Sequence, residues 1–287
     1  MGEVATASIK SYEDYKEYSS RMRNEYSKRE DYQNRLLEDS KPFSVSSYCY
    51  VCRQYMQMLV DYSYSYKKNG VLIPNWRESV VCPLCGMNNR MRASIHLFEQ
   101  LIKPEKESGI YISEQTTALY KWFVTNYSNV AGSEYLGNSI PHGKTNGGGI
   151  RNESFTGLSF PDNEFDSIIS LDVFEHVPDF RKAFSECFRV LRLGGSLFFT
   201  VPFEVTSEKN IIRAVMKDNH EVEYLLPPEY HGDPLSSEGC LAFYCFGWEM
   251  LGQLREAGFA QASAYLYWNR EFGYLGDEQL VFIARVK

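Results

Sequence analysis

An α/β protein with a small cysteine-held module in front of it is the architecture predicted here, on three observations. Residues 158–202 read LSFPDNEFDSIISLDVFEHVPDFRKAFSECFRVLRLGGSLFFTVP: an apolar run, a polar stop at Asp172, Glu175 and His176, a helical stretch and a second β-prone run. Phe180, Ala183, Phe184, Cys187, Phe188, Val190 and Leu191 recur at spacings of three and four, and Ser196 to Val201 is continuously apolar and β-prone. Strand, loop, helix, strand is a βαβ crossover, which joins parallel strands. Four of the seven cysteines fall into two CxxC pairs, Cys49 with Cys52 and Cys82 with Cys85. The C-terminal stretch reads as an amphipathic helix from Gly247 to Ala257, a stop at Gly258, and strands near Ala262–Tyr267 and Gln279–Arg285.

The stretch FPDNEFDSIISLDVFEHVPDFRKAFSECFRVLRLGGSLFFTVP resembles the second half of class I S-adenosylmethionine (SAM) dependent methyltransferases of the quinone and sugar type. Their pattern is F-P-D-x-x-F-D, a hydrophobic strand, E-H-V, then R-V-L-[RK]-x-G-G. The resemblance covers roughly residues 109–287. It implies a seven-stranded Rossmann-like methyltransferase sheet, to which the residues in front of it add an N-terminal helix and a small zinc ribbon. It also implies SAM as cofactor and a small-molecule acceptor.

The outer limits agree with this. At 287 residues the chain has room for one such domain and a smaller module. A net charge of −7 argues against a nucleic-acid enzyme that depends on a strongly basic face. With no secretory h-region and no run of about 18 apolar residues, the expectation is a cytoplasmic protein without a membrane span.

In chain order, residues 1–40 are charged with interleaved tyrosines, and Tyr15, Tyr18, Met22 and Tyr26 fall near one face of a helix. That face is expected to dock on the body of the protein or on a second subunit in a homodimer. Residues 41–108 form the cysteine module and a connecting helix. Two CxxC turns in a reducing compartment present four thiolates to one tetrahedral zinc ion, so Cys49, Cys52, Cys82 and Cys85 are read as ligands of a structural Zn2+. Redox chemistry or free core thiols is the other reading of the pairs. Cys187, Cys240 and Cys245 are read as packing residues. Met58 to Tyr66 looks strand-like and Ala93 to Ile102 helical. Asn89, Arg90 and Arg92 read as an ordinary charged helix start or as residues lining a substrate cleft.

The methyltransferase domain is expected over 109–287. In the family the first strand ends in a glycine-rich turn that lets the backbone approach the methionine part of SAM. Here that place reads Gly109-Ile110-Tyr111-Ile112-Ser113-Glu114-Gln115, so the turn glycines are missing and side chains of Ser113, Glu114 and Gln115 are expected to take over. A helix from Thr116 to Tyr127 follows. The next strand ends at Glu134-Tyr135, and the resemblance implies Glu134 as the ribose ligand, since a carboxylate can accept from both hydroxyls. Gly149 to Phe155 is expected as a third strand ending in Glu153, Ser154 and Phe155 beside adenine, with Ser154 standing where the family usually has Asp. Leu171 and Asp172 border the methionine.

His176 stands where the family puts the transferred methyl group, and an imidazole suits proton removal from an acceptor. Residues 202–241 are far too long for a routine connection and read as a lid. A hairpin is expected there, with the turn at 217–220, followed by a loop at 227–234. In that loop Tyr230, His231 and Asp233 face the acceptor, Tyr230 and His231 as candidate catalytic groups. The resulting expectation is a SAM-dependent methyltransferase acting on a small polar metabolite, a sugar or natural-product intermediate. The alternative is a non-catalytic binding or scaffold protein that keeps the fold.

Overall fold

The computed structural model describes residues 2–37, 40–219, 221–233 and 235–287, and the side chains of Asp233, Ser236 and Ser237 lie outside the description. His220 of the expected turn and the Asp233 side chain of the expected pocket wall therefore fall outside the described residues. The chain divides into two compact units, residues 1–8, 16–104 and 265–281, and residues 9–15, 105–264 and 282–287.

The first unit contains β1 (Thr6–Ile9), most of α1 (Tyr12–Asn34), β2 (Phe43–Cys49), β3 (Gln54–Val60), β4 (Tyr66–Lys68), β5 (Val71–Ile73) and α2 (Asn89–Leu101). β2 and β3 form an antiparallel hairpin with Phe43 opposite Val60 and Cys49 opposite Gln54. Along β2 buried and exposed side chains alternate, which is what a two-stranded ribbon with one covered face requires. Phe43, Val45, Met58, Val60, Trp76 and Leu275 close over the cysteines as one apolar cluster. The expected strand from Met58 to Tyr66 is instead two strands. Asp61 breaks it, because its carboxylate accepts from the Ser63 amide (2.9 Å) and turns the chain.

On α1, the Tyr18 and Tyr26 hydroxyls donate to the two oxygens of Glu278, each at 2.6 Å, and Arg29 pairs with the same carboxylate at 3.1 Å. Tyr18 and Tyr26 of the stripe are thus engaged within the first unit, and they carry no argument for a dimer. Asn88 caps α2 by accepting from the Met91 amide. The expectation of surface charge or a cleft lining at the start of α2 is corrected for two residues. Asn89 and Arg92 are fully buried: the Asn89 amide donates to Trp76 and Leu275 carbonyls, and the Arg92 guanidinium to Phe272 and Val80 carbonyls. Arg90 pairs with Glu78 at 2.9 Å.

The second unit begins with β6 (Ile110–Ile112), α3 (Ala118–Asn126), β7 (Val130–Gly132), β8 (Phe165–Leu171), a single 3-10 turn at Phe174–His176, α4 (Phe180–Val190) and β9 (Leu191–Thr200). Four of the seven β8 side chains in succession are buried, as for a strand covered on both faces. α4 buries Phe180, Ala183, Phe184, Cys187 and Val190, the stripe read from the spacing, and Asp179 caps it by accepting from the Lys182 amide. The insertion then holds β10 (Ile211–Ile212), β11 (Ala214–Met216), β12 (Val222–Tyr224), β13 (Tyr230–Asp233) and β14 (Ser236–Leu241), and β15 (Tyr244–Cys245) and α5 (Glu249–Glu256) follow. β11 and β12 make the expected hairpin. The expected loop over 227–234 is in part a strand, because β13 pairs antiparallel with β14. The last strands, β16 (Gln261–Asn269) and β17 (Tyr274–Arg285), contribute residues to both units.

One seven-stranded sheet has the order β1-β16-β17-β9-β8-β6-β7. β7, β6, β8 and β9 run parallel, and β17 runs antiparallel to β9. This is the expected Rossmann-like sheet with one exchange. Gly149–Phe155 is not a strand and makes only the isolated bridges Glu134 with Asn152 and Thr145 with Arg151. The Asn146 side chain accepts from the Gly148 and Ile150 amides and winds the glycine run into a turn, which prevents extension. The seventh strand is β1, at the opposite edge.

Candidate functional site

The strand order reverses at β6, where α3 leads to β7 on one side and the chain returns to β8 on the other. In open α/β sheets ligands sit outside the carboxyl ends of the strands at such a switch point. Ser113 to Thr116, Glu134 and the end of β8 stand there. The Ser113 amide donates to the Ile169 carbonyl (3.1 Å), and its hydroxyl lies 3.2 Å from that of Ser170. Without glycines the turn is closed by Glu134. Its Oε1 accepts from the amides of Gln115 (2.7 Å) and Thr116 (3.0 Å) and from the Thr116 hydroxyl (2.9 Å). Glu134 is 8% exposed, and no hydrogen bond to its Oε2 occurs among the described residues. Tyr135 beside it is exposed.

The structure ties down two residues that were expected to meet the cofactor. The Gln115 side chain donates to the Gly149 carbonyl and accepts from the Arg151 amide, so its amide group is committed to that segment. Glu153 is buried, with Oε1 held by Arg151 (2.7 Å) and the Ser159 hydroxyl and Oε2 by the Ser159 amide (2.9 Å). Its carboxylate is therefore used inside the turn and is not left for the adenine. Ser154 bonds only locally, to Thr156. Phe155 is buried against Tyr111 and Phe174. Glu114 lies in the turn between Ser113 and Gln115, and Leu171 is half-buried at the end of β8.

Past Leu171 the chain bends sharply: Asp172 adopts a left-handed backbone (φ 54°) and accepts from the Thr200 hydroxyl at 2.8 Å. A non-glycine residue in that conformation is held there by its surroundings and is frequent at functional loops. The 3-10 turn that follows presents Glu175 and His176. Glu175 is 0% exposed, and among the described residues neither carboxylate oxygen has a hydrogen-bond partner. His231, from β13, places Nδ1 at 3.4 Å from Glu175 Oε1, and His176 places Nε2 at 3.6 Å from the same atom. The far nitrogens are also engaged: His176 Nδ1 donates to the Leu241 carbonyl (2.8 Å), and His231 Nε2 lies 3.2 Å from Glu229. Burial pushes the Glu175 carboxyl up, and the Glu175 and Glu229 carboxylates push the His231 imidazolium up. Tyr230 is 54% exposed, its hydroxyl 3.5 Å from that of Tyr224.

Sequence reasoning placed His176 and His231 here but gave Glu175, Glu229 and Thr116 no role. The signal for Glu229 was available, since residues two apart in an extended segment share a face. The burial of Glu175 depends on the insertion folding back, and no local pattern carries that.

In the first unit, the four cysteine sulfurs all lie within 4.8 Å of one another, with Cys49 to Cys85 at 3.9 Å and Cys52 to Cys82 at 3.8 Å. Four sulfurs at about 2.3 Å from a tetrahedral ion stand about 3.8 Å apart. The thiol set and its spacing fit zinc.

Residues 114–199 match the family described as methyltransferase domain. The ubiquinone biosynthesis O-methyltransferase of Rhizobium johnstonii is 26% identical over 114 residues, which is 36% of this chain and 46% of that protein. The sterol 24-C-methyltransferase of Gibberella zeae is 33% identical over 102 residues, 34% of this chain and 25% of that protein. The chain thus spans less than half the length of these curated relatives. Among solved structures, an S-adenosylmethionine dependent methyltransferase from Mesorhizobium loti aligns with a TM-score of 0.41 at 15% identity, over 66% of this chain and 97% of that one.

Proposed function

We propose that this chain, which carries a methyltransferase domain over residues 114–199, transfers a methyl group from SAM to a small polar metabolite such as a sugar or natural-product intermediate. The observation that carries the reading is Glu134. It is a carboxylate at the end of β7, at the switch point of the sheet, with Oε1 spent on the Gln115–Thr116 turn and Oε2 left for a ribose hydroxyl. In this proposal Ser113 and Glu114 face the methionine ammonium, Leu171 and Asp172 border the methionine, and Ser154, with Phe155 behind it, lies on the adenine side. One carboxylate oxygen for the ribose, and a turn built from residues with a Cβ, give weaker SAM binding than an intact glycine turn would. Calorimetric titration with SAM tests it, and a chain that binds neither SAM nor its demethylated product fits the scaffold alternative.

On the acceptor side we assign His176 as base or aligner, with Tyr230 and His231 of the lid as the facing wall. The bond from Nδ1 to the Leu241 carbonyl leaves Nε2 with the lone pair a base needs. His176→Ala is expected to lower turnover at least about tenfold, or about 1.4 kcal/mol; turnover within about threefold of the parent would remove the assignment. We further assign zinc to the four cysteines as a structural ion, because four thiolates leave no open position. A thiolate cluster of this kind persists in a reducing compartment, which supports a cytoplasmic setting.

A further inference from the structure

We propose that Glu175, His176 and His231 form a second metal site, which takes a divalent transition ion such as Zn2+, Fe2+ or Co2+ through one carboxylate oxygen and two imidazole nitrogens. Three ligand atoms, one from each residue, lie within 4.8 Å of one another. Ligands about 2.0 to 2.2 Å from a tetrahedral ion stand about 3.3 to 3.6 Å apart. The measured separations from Glu175 Oε1 are 3.4 Å to His231 Nδ1 and 3.6 Å to His176 Nε2.

The outer partners point the same way. A metal-binding histidine characteristically gives its other ring N–H to a carbonyl or carboxylate, which sets the tautomer and aims the lone pair. His176 gives Nδ1–H to the Leu241 carbonyl, and His231 turns Nε2 to Glu229. Both inner nitrogens therefore present lone pairs towards a carboxylate that is 0% exposed and, among the described residues, has no hydrogen bond to either oxygen. A buried carboxylate without donors is costly. A proton on His231 would relieve one contact, yet it leaves His176 Nε2 unserved. A divalent cation answers all three groups at once. Nitrogen with carboxylate is the donor set of zinc and non-haem iron centres, and three protein ligands leave a position open for water or an acceptor oxygen. With the ion bound the Nε2 lone pair is engaged, which leaves His176 the aligning role of the two proposed above. Metal binding itself does not depend on methyl transfer.

The probe is Co2+, added without oxygen to full-length protein whose cysteine cluster is already filled with zinc. One further equivalent is expected to bind with visible d–d bands and no sulfur-to-cobalt charge-transfer band. Glu175→Gln and His231→Gln, chosen to conserve shape, are each expected to weaken it at least about tenfold while circular dichroism stays that of the parent. Uptake of no sulfur-free cobalt, or equal affinity in the parent and both variants, would overturn the site. Cobalt entering only with sulfur charge-transfer bands has displaced zinc and counts equally against it.

Discussion

His96 is where acid reaches the first unit. It is 3% exposed, stacks on Tyr50 with ring centroids 3.7 Å apart, and meets the Tyr274 hydroxyl at 3.2 Å. Burial, with help from the Arg53 cation, pulls its imidazolium down from 6.5 to about 4. A base whose folded pKa is depressed stays neutral in the native state while the unfolded chain takes up a proton. Its contribution is complete above pH 6.5 and is lost as pH falls towards 4. At 1.36 kcal/mol per unit the loss is on the order of 3 kcal/mol. The prediction is that denaturant stability falls over this window more steeply in the parent than in His96→Phe, which keeps the ring stack but cannot be protonated; parallel pH profiles would contradict it. From the sequence, His96 was one residue inside an expected helix. Its environment comes from Tyr50 and Tyr274, which are distant in the chain.

At the scale of elements, β7 and α3 meet where the chain has no side chain to spare. A Cβ on Gly132 would collide with the Tyr120 ring, so the glycine is there for close approach and not for a left-handed turn. Gly132→Ala is expected to cost about 1 to 3 kcal/mol and to lower the thermal midpoint by several degrees. A midpoint within about 1 °C of the parent would show that Tyr120 moves aside freely. The long periodic elements could be read directly: β8, α4 and β9 follow the predicted order because their apolar spacing matches a doubly covered strand and a one-sided helix. β1 was missed and the strand at Gly149–Phe155 was misassigned for reasons outside local pattern. β1 has four residues, too few for any periodicity to register, and the start of Gly149–Phe155 is held in a turn by the Asn146 side chain.

For the whole molecule, the candidate residues come from strand ends far apart in sequence, and only some were recognisable in advance. Glu134, Asp172 and His176 were singled out through the family resemblance, at the ends of expected strands. The commitment of Gln115 and Glu153 to neighbouring backbone and Arg151, and the return of His231 to Glu175, are tertiary facts. The zinc assignment belongs to this scale too, because metal and folding are linked in a cluster that closes the ribbon. Elemental analysis is expected to find zinc bound to the cysteines of each chain; chelation should unfold the ribbon, and metal-free protein of full stability would refute the assignment. The central claim, a SAM site kept without its glycines, is tested most directly by calorimetric titration of zinc-replete protein with SAM. Saturable binding that is lost in Glu134→Ala is expected. No detectable heat of binding at about 1 mM SAM, a limit of about 4 kcal/mol, would contradict it.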